Sequence, residues 1–148
     1  MRLIGLAVVL TVHLVLAPLA GEAQQAGKVY RIGMLETRST ALNAANIDAF
    51  RRGLRELGYK EGQNLELVYR SSDGRDERLP VLANELVNLR VDLILTRGTP
   101  AALAAKSATA TIPVVMAASG DPVGTGIVSS LARPGGNLTG LSSGITER

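Results

Sequence analysis

The sequence predicts an α/β domain built on a five-stranded parallel sheet with strands in the order 2-1-3-4-5. Three observations carry this. Short apolar runs recur along the chain at 29–35, 65–69, 91–95, 112–117 and 138–142. The segments between the first four carry apolar residues at offsets of three and four, the period of a helix with one face buried. The stretch from Val91 to Pro100, with the alanine-rich run after it and Ile112-Pro113-Val114-Val115-Met116-Ala117, reads as one strand–helix–strand unit. Such alternation implies a parallel sheet covered on both faces. Right-handed crossovers leave few strand orders, of which 2-1-3-4-5 is the simplest.

Taken in order, Val29 to Leu35 is the first strand, and Glu36 to Thr40 is a polar loop leading into a helix from about Leu42 to Leu57. Ile47, Phe50, Leu54 and Leu57 share a face of that helix, with charged residues on the rest of the wheel. Gly58 ends it, as a glycine just past the last periodic residue commonly does. Leu65 to Tyr69 alternates more than the other strands, as an edge strand does. The next helix runs to about Leu89 with Leu79, Leu82, Ala83 and Leu86 inward, and Pro80 confines its start to the preceding few residues. Thr99 is suited to cap the third helix and Pro100 to open it. Asp121 and Pro122 repeat that pattern for a short fourth helix, with Val123, Ile127 and Leu131 on one side, though Gly124 and Gly126 weaken it. Arg133-Pro134-Gly135-Gly136-Asn137 is a turn, and Leu138 to Ser142 a fifth strand. Five strands and four helices are thus expected.

Composition narrows the function. The chain has 148 residues and 46% hydrophobic content, enough for one domain with a real core. Its N-terminus is set apart. Met1-Arg2 precedes an apolar run from Leu3 to Leu16, Pro18 breaks it, and Gly21-Glu22-Ala23 offers a small-x-small cleavage site. Residues 1–23 therefore read as a secretory signal peptide, leaving 24–148 as the mature, exported domain. An uncleaved anchor is the competing reading, but the run falls short of the roughly 20 residues a spanning helix prefers. Cleavage would remove His13, the one histidine, and cysteine is absent throughout. Without His or Cys the mature chain builds none of the usual zinc, copper or haem sites and no His-based nucleophile pair; carboxylate-only magnesium or calcium sites stay open, but no clustered Asp/Glu loop of EF-hand type is present, so no metal, cofactor or catalysis is expected. A net charge of +3, with arginines scattered over helical faces, argues against a nucleic-acid partner.

Four loops fall at the carboxyl ends of strands, at 36–40, 70–74, 96–99 and 118–121. In open α/β sheets that edge is where small ligands bind, because helix N-termini offer free N–H groups there. Hydroxyls, Arg97 and three helix N-termini are placed to receive a carboxylate or another small anion. Each residue also has a plainer role: Thr99 and Asp121 as caps, Arg38 and Arg97 as solvated surface, Ser72 and Ser119 as turn residues. The convergence of the loops favours a site. A dinucleotide fingerprint is weak, since Gly124-Thr125-Gly126 lacks the third glycine. Thr37-Arg38-Ser39-Thr40 lies where flavodoxin-like proteins hold a flavin phosphate. With three Tyr, one Phe and no Trp, however, a flavin stack is hard to assemble.

The run Gly98-Thr99-Pro100-Ala101-Ala102-Leu103-Ala104-Ala105-Lys106, with Ile112-Pro113-Val114-Val115, Gly120-Asp121-Pro122-Val123 and Leu131 to Gly140, closely resembles the bacterial ABC transporter substrate-binding proteins of the TrpX-like family. Phe50 to Tyr59 and Gly62-Gln63-Asn64 are similar to the same family, and Ala132 to Gly140 is the most specific part. The resemblance implies a type I periplasmic binding protein, whose two flavodoxin-like α/β lobes close on a solute and present it to an inner-membrane ABC permease. It implies that Thr37, Arg38, Ser72, Arg97, Gly98, Thr99, Ser119 and Asp121 line the cleft side of the first lobe, for a small polar or amino-acid-like solute. Members of that family continue past Gly140 into a second lobe. The chain is therefore expected to carry the first lobe alone, to fold, and to bind solute poorly unless a neighbouring reading frame supplies the other half. Two alternatives stay open: a flavodoxin-like flavin enzyme, and the ligand-binding ectodomain of a receptor.

Overall fold

A computed structural model describes residues 27–130 and 132–143. The signal-peptide expectation for 1–23 and the role given to Leu131 lie outside the described residues. The elements are β1 (Tyr30–Glu36), α1 (Thr40–Glu56), β2 (Leu65–Ser71), a 3₁₀ turn (Asp76–Arg78), α2 (Leu79–Asn88), β3 (Leu93–Arg97), α3 (Thr99–Ala108), β4 (Val114–Ser119) and β5 (Leu138–Ser142). All pairings are parallel and the order is β2-β1-β3-β4-β5. The expected α/β class and strand order are the observed ones.

Two helices cover one face. Leu79, Leu82, Ala83 and Leu86 of α2 and Ala101, Ala102 and Ala105 of α3 join Leu35, Ile94, Val114, Met116 and Leu138 in the main core cluster. Alanines let α3 lie close to the sheet. Because side chains alternate along a strand, Met34, Glu36 and Arg97 point to the opposite face. There α1 lies over them, burying Ile47 and Asn43 while leaving Leu57 75% exposed. The periodic pattern puts Leu57 on the buried face, but the helix ends at Glu56 and Leu57 is already its cap. Gly58, at φ +89°, donates to Arg55 O and Tyr59 donates to Leu54 O, the paired bonds that close a helix on a left-handed residue.

The expected fourth helix is not formed. Asp121 Oδ1 accepts from Gly124 N at 2.8 Å and its carbonyl accepts from Thr125 N, which is a sound first turn. Gly126 then adopts φ +71° and turns the chain out of the helical path, so the segment stays a set of turns. Ile127 and Val128 still reach the core, while Val123 is 42% exposed. The described residues thus hold three α-helices.

The stretch Arg133 to Gly140 is scaffold. Gly135 and Gly136 take φ +71° and +64°, and Asn137 Nδ2 donates to Thr109 O at 3.2 Å and Ile112 O at 2.7 Å. These bonds tie the entry of β5 to the entry of β4. That is the end of the sheet away from the helix N-termini.

Candidate functional site

At the carboxyl edge of the sheet, an open cleft of about 260 Å³ is lined by Glu36, Thr37, Arg38, Arg97, Gly98, Thr99, Ala118, Ser119, Gly120 and Ser143. It is built from the ends of β1, β3 and β4 and from the start of α3. Among the expected residues, Thr37, Arg38, Arg97, Gly98, Thr99 and Ser119 meet here. Ser72 and Asp121 stand outside the lining.

Ser72 is a support. It is fully buried, its N–H donates to Glu36 O at 3.0 Å, and its hydroxyl donates to Thr37 O at 3.4 Å. Gly74 N also reaches Thr37 O at 2.8 Å. Ser71 Oγ and the Tyr69 hydroxyl donate to Arg38 O, at 2.7 and 3.2 Å. The end of β2 and its loop thus hold three successive carbonyls of the β1–α1 loop, which fixes where the exposed Arg38 side chain begins. Ser39 caps α1 by accepting from Leu42 N.

Thr99 does not cap α3. The cap position is Gly98, at φ +96°, and no side chain caps the helix. The Thr99 hydroxyl instead accepts from Gly120 N at 3.2 Å and lies 3.3 Å from Ser119 Oγ. Gly98 N donates to Ala118 O at 2.9 Å, so α3 starts in contact with the end of β4. A cap side chain would have satisfied first-turn N–H groups that here are left to solvent or to a bound anion. A side chain at Gly98 would be strained by its φ and would sit 3.2 Å from Thr37.

The missed residue is Glu36. The sequence reading ends the first strand at Leu35 and puts Glu36 in a loop, whereas it is the last residue of β1, only 4% exposed and at the cleft. Its register partner across β3 is Arg97. The Arg97 guanidinium donates from Nη1 to Asn43 Oδ1. Asn43, in the first turns of α1, is 1% exposed. Burial pushes the Glu36 carboxyl above its ordinary range, against the pull of the Arg97 charge and of a hydrogen bond from Asn43. Burial and the Glu36 charge likewise raise the Tyr69 phenol, with Asn43 and Thr40 opposing. A signal was present in the sequence, since a carboxylate directly after an apolar-rich strand is a candidate for strand continuation. Its burial was not legible, because the cover comes from α1.

The raised value has a consequence for stability. A carboxyl whose folded pKa exceeds its unfolded one favours the fold below the ordinary carboxylate range, and that contribution is lost as pH rises through the folded value. Glu36→Gln keeps the shape without the charge. Melting temperatures of the Glu36→Gln variant and the parent, compared from pH 4 to pH 7, are expected to shift in favour of the variant as pH rises. Parallel profiles would show that the Glu36 charge carries no such penalty.

A family model described as ABC transporter substrate binding protein matches residues 36–147. The chain belongs to this family. The match opens at Glu36 and so takes in all the loops that form the cleft. A tyrosine-binding protein of Clostridioides difficile (strain R20291) is 39% identical over 93 residues, covering 63% of this chain and 27% of that protein. The structure resembles that of a conserved domain protein from Vibrio cholerae, with a TM-score of 0.75 and 34% identity over 80% of this chain and 40% of that one. It also resembles an ABC domain in complex with L-Trp from Streptococcus pneumoniae, with a TM-score of 0.71 and 35% identity over 78% and 39% of the two chains. This substrate-binding family member therefore spans less than half the length of these relatives. They are similar to it over one lobe.

Proposed function

We propose that this chain is the first α/β lobe of an extracytoplasmic solute-binding protein serving an ABC-type uptake system, and that it holds a small amino-acid-like solute at the carboxyl edge of its sheet. The observation that carries the reading is the cleft itself: the uncapped start of α3, Thr99, Arg38 and Arg97 line one open space, bordered by Ser119, which is 1% exposed. Such an edge suits a carboxylate, because hydrogen bonds from N–H groups and a guanidinium to an anion are the stronger kind. The relatives named for tyrosine binding and solved with L-Trp support an amino acid. In this reading Thr37, Arg38, Arg97, Gly98, Thr99 and Ser119 touch the solute, while Ser72 and Asp121 brace the loops that carry them.

Membership of the family supports the choice of partners. A second lobe closes over the solute, and an inner-membrane permease receives the closed form. Substrate-binding proteins of ABC importers are typically extracytoplasmic, and residues 1–23 act as the cleaved leader that takes this one to the periplasm. The relatives are binding proteins, and binding without catalysis is the role proposed here.

The test is a titration of the ¹⁵N-labelled protein with each of the twenty L-amino acids, followed by amide shifts. Shifts clustered on 36–38, 97–99 and 118–120 are expected, with dissociation constants of about a millimolar. A single lobe leaves one side of the ligand wet, and water weakens every polar contact there. Shifts elsewhere, or none, would overturn the site. Micromolar binding would overturn the need for a second lobe.

A further inference from the structure

We infer that Glu36 is the receptor for the positively charged group of the solute, so that the lobe selects a zwitterion and discriminates against the same acid lacking its amino group. This rests on the solute reading above and deepens it, since nothing in the family match or the relatives assigns a role to this residue.

Glu36 and Arg97 are register partners at the ends of neighbouring parallel strands, and their side chains leave the same face of the sheet. Both line the cleft. Asn43 accepts from Arg97 Nη1, and its side chain also favours the charged form of Glu36. The pair is therefore a fixed dipole set into the cleft wall, with its negative end 4% exposed and its positive end half-buried. An α-amino acid zwitterion is also a dipole. Laid antiparallel, its ammonium meets Glu36 while its carboxylate meets Arg97 and the start of α3.

The electrostatics favour this occupant over a plain anion. A buried carboxylate repels a carboxylate brought beside it, and in a partly desolvated cleft that repulsion is weakly screened. A plain anion gains from Arg97 and from the helix start but is repelled by Glu36. A zwitterion removes the repulsion and supplies the cation that Glu36 lacks at short range. Among the described residues Glu36 has no ion-pair partner within 4.0 Å, whereas Arg31, Arg51, Arg70 and Arg78 all have carboxylate partners. Burying a carboxylate without such a partner lowers stability. Groups of this kind concentrate at binding sites.

The experiment uses the full chain and two probes: the L-amino acid giving the largest shifts in the panel, and the same molecule without its α-amino group, as propionate is to L-alanine. The parent protein is expected to bind the amino acid about tenfold or more tightly than the des-amino acid, the usual scale of a charge-assisted hydrogen bond. Glu36→Gln is expected to weaken the amino acid by a similar factor. The same change should leave the des-amino acid unaffected or tighten it, because the repulsion is gone. Far-UV circular dichroism and the melting temperature report whether the variant is folded, and Glu36→Asp provides a second, charge-retaining variant expected to keep the preference for the amino acid. If no amino acid binds the parent, the solute reading fails and this inference with it. If an amino acid binds at the cleft but the parent does not prefer it to the des-amino acid, or Glu36→Gln weakens both probes alike, the solute reading stands and the role of Glu36 is overturned.

Discussion

Gly140→Ala is expected to destabilise the domain by roughly 3 kcal/mol or more, a large share of the ~5–15 kcal/mol that holds a typical domain folded. Gly140 lies inside β5 at φ +141°, a conformation that L side chains rarely adopt. An added Cβ would also sit 2.5 Å from the Met116 nitrogen and 2.8 Å from its carbonyl carbon, with the Met116 oxygen nearer still. Backbone cannot swing aside as a flexible side-chain end does. Strain of about 1–3 kcal/mol for the conformation alone therefore adds to displacement of β5 from β4. Since β5 covers Val114 and Met116 along that edge through Leu138, its loss also loosens the core. Thermal unfolding followed by circular dichroism should show a fall of roughly 10 °C or more. Gly53→Ala is the control, because Gly53 is inside α1 with nothing within 4 Å of an added Cβ. That change is expected to stabilise by about 0.5–1 kcal/mol. Equal effects at the two glycines would refute the account.

The second large effect is expected at Leu86, which is fully buried and packs directly over Gly33 of β1. Leu86→Ala removes its core contacts and leaves a cavity, at a cost of about 2–5 kcal/mol. Gly33→Ala acts from the other side: the new Cβ would stand 3.0 Å from both Leu86 methyl carbons, so the leucine must shift. Combining the two changes lets the added methyl occupy space that the shortened side chain vacates. Urea unfolding of the parent, both single variants and the double should therefore give a double-variant loss smaller than the sum of the singles, by about 0.5–3 kcal/mol, the range for residues in contact. Strict additivity would mean that α2 and β1 relax independently and that Leu86 does not set their spacing.

The two changes also bear on the site. Gly33 is three residues from Glu36 on the same strand, and Gly140 is three residues from Ser143, whose N–H and hydroxyl both donate to Ser119 O, at 2.7 and 3.0 Å. The cleft depends on strands held at close spacing by residues that never touch it. Asn43 makes the same point from a helix. It is a polar residue at the start of α1, on the face that also buries Ile47. Packed against the sheet it accepts from the Arg97 guanidinium, whose strand neighbour is the buried Glu36.

The α/β class, the strand order, the edge position of β2 and the gathering of loops at the carboxyl ends of the strands could be read from the chain alone. Those features follow from local rules: apolar residues every two or every three to four positions, glycine and proline at the joints, and handed crossovers that leave few ways to join them. Four matters had to wait for the folded molecule. They are the burial of Glu36, its apposition to Arg97 and Asn43, the use of Ser72 as a brace, and the collapse of the segment after Asp121 into turns. Each depends on partners tens of residues away or on the backbone angle of a single glycine. Periodicity locates strands and helices, but the solvation of one carboxylate is set by which helix lies over it and by a strand ending one residue later than its apolar pattern suggests.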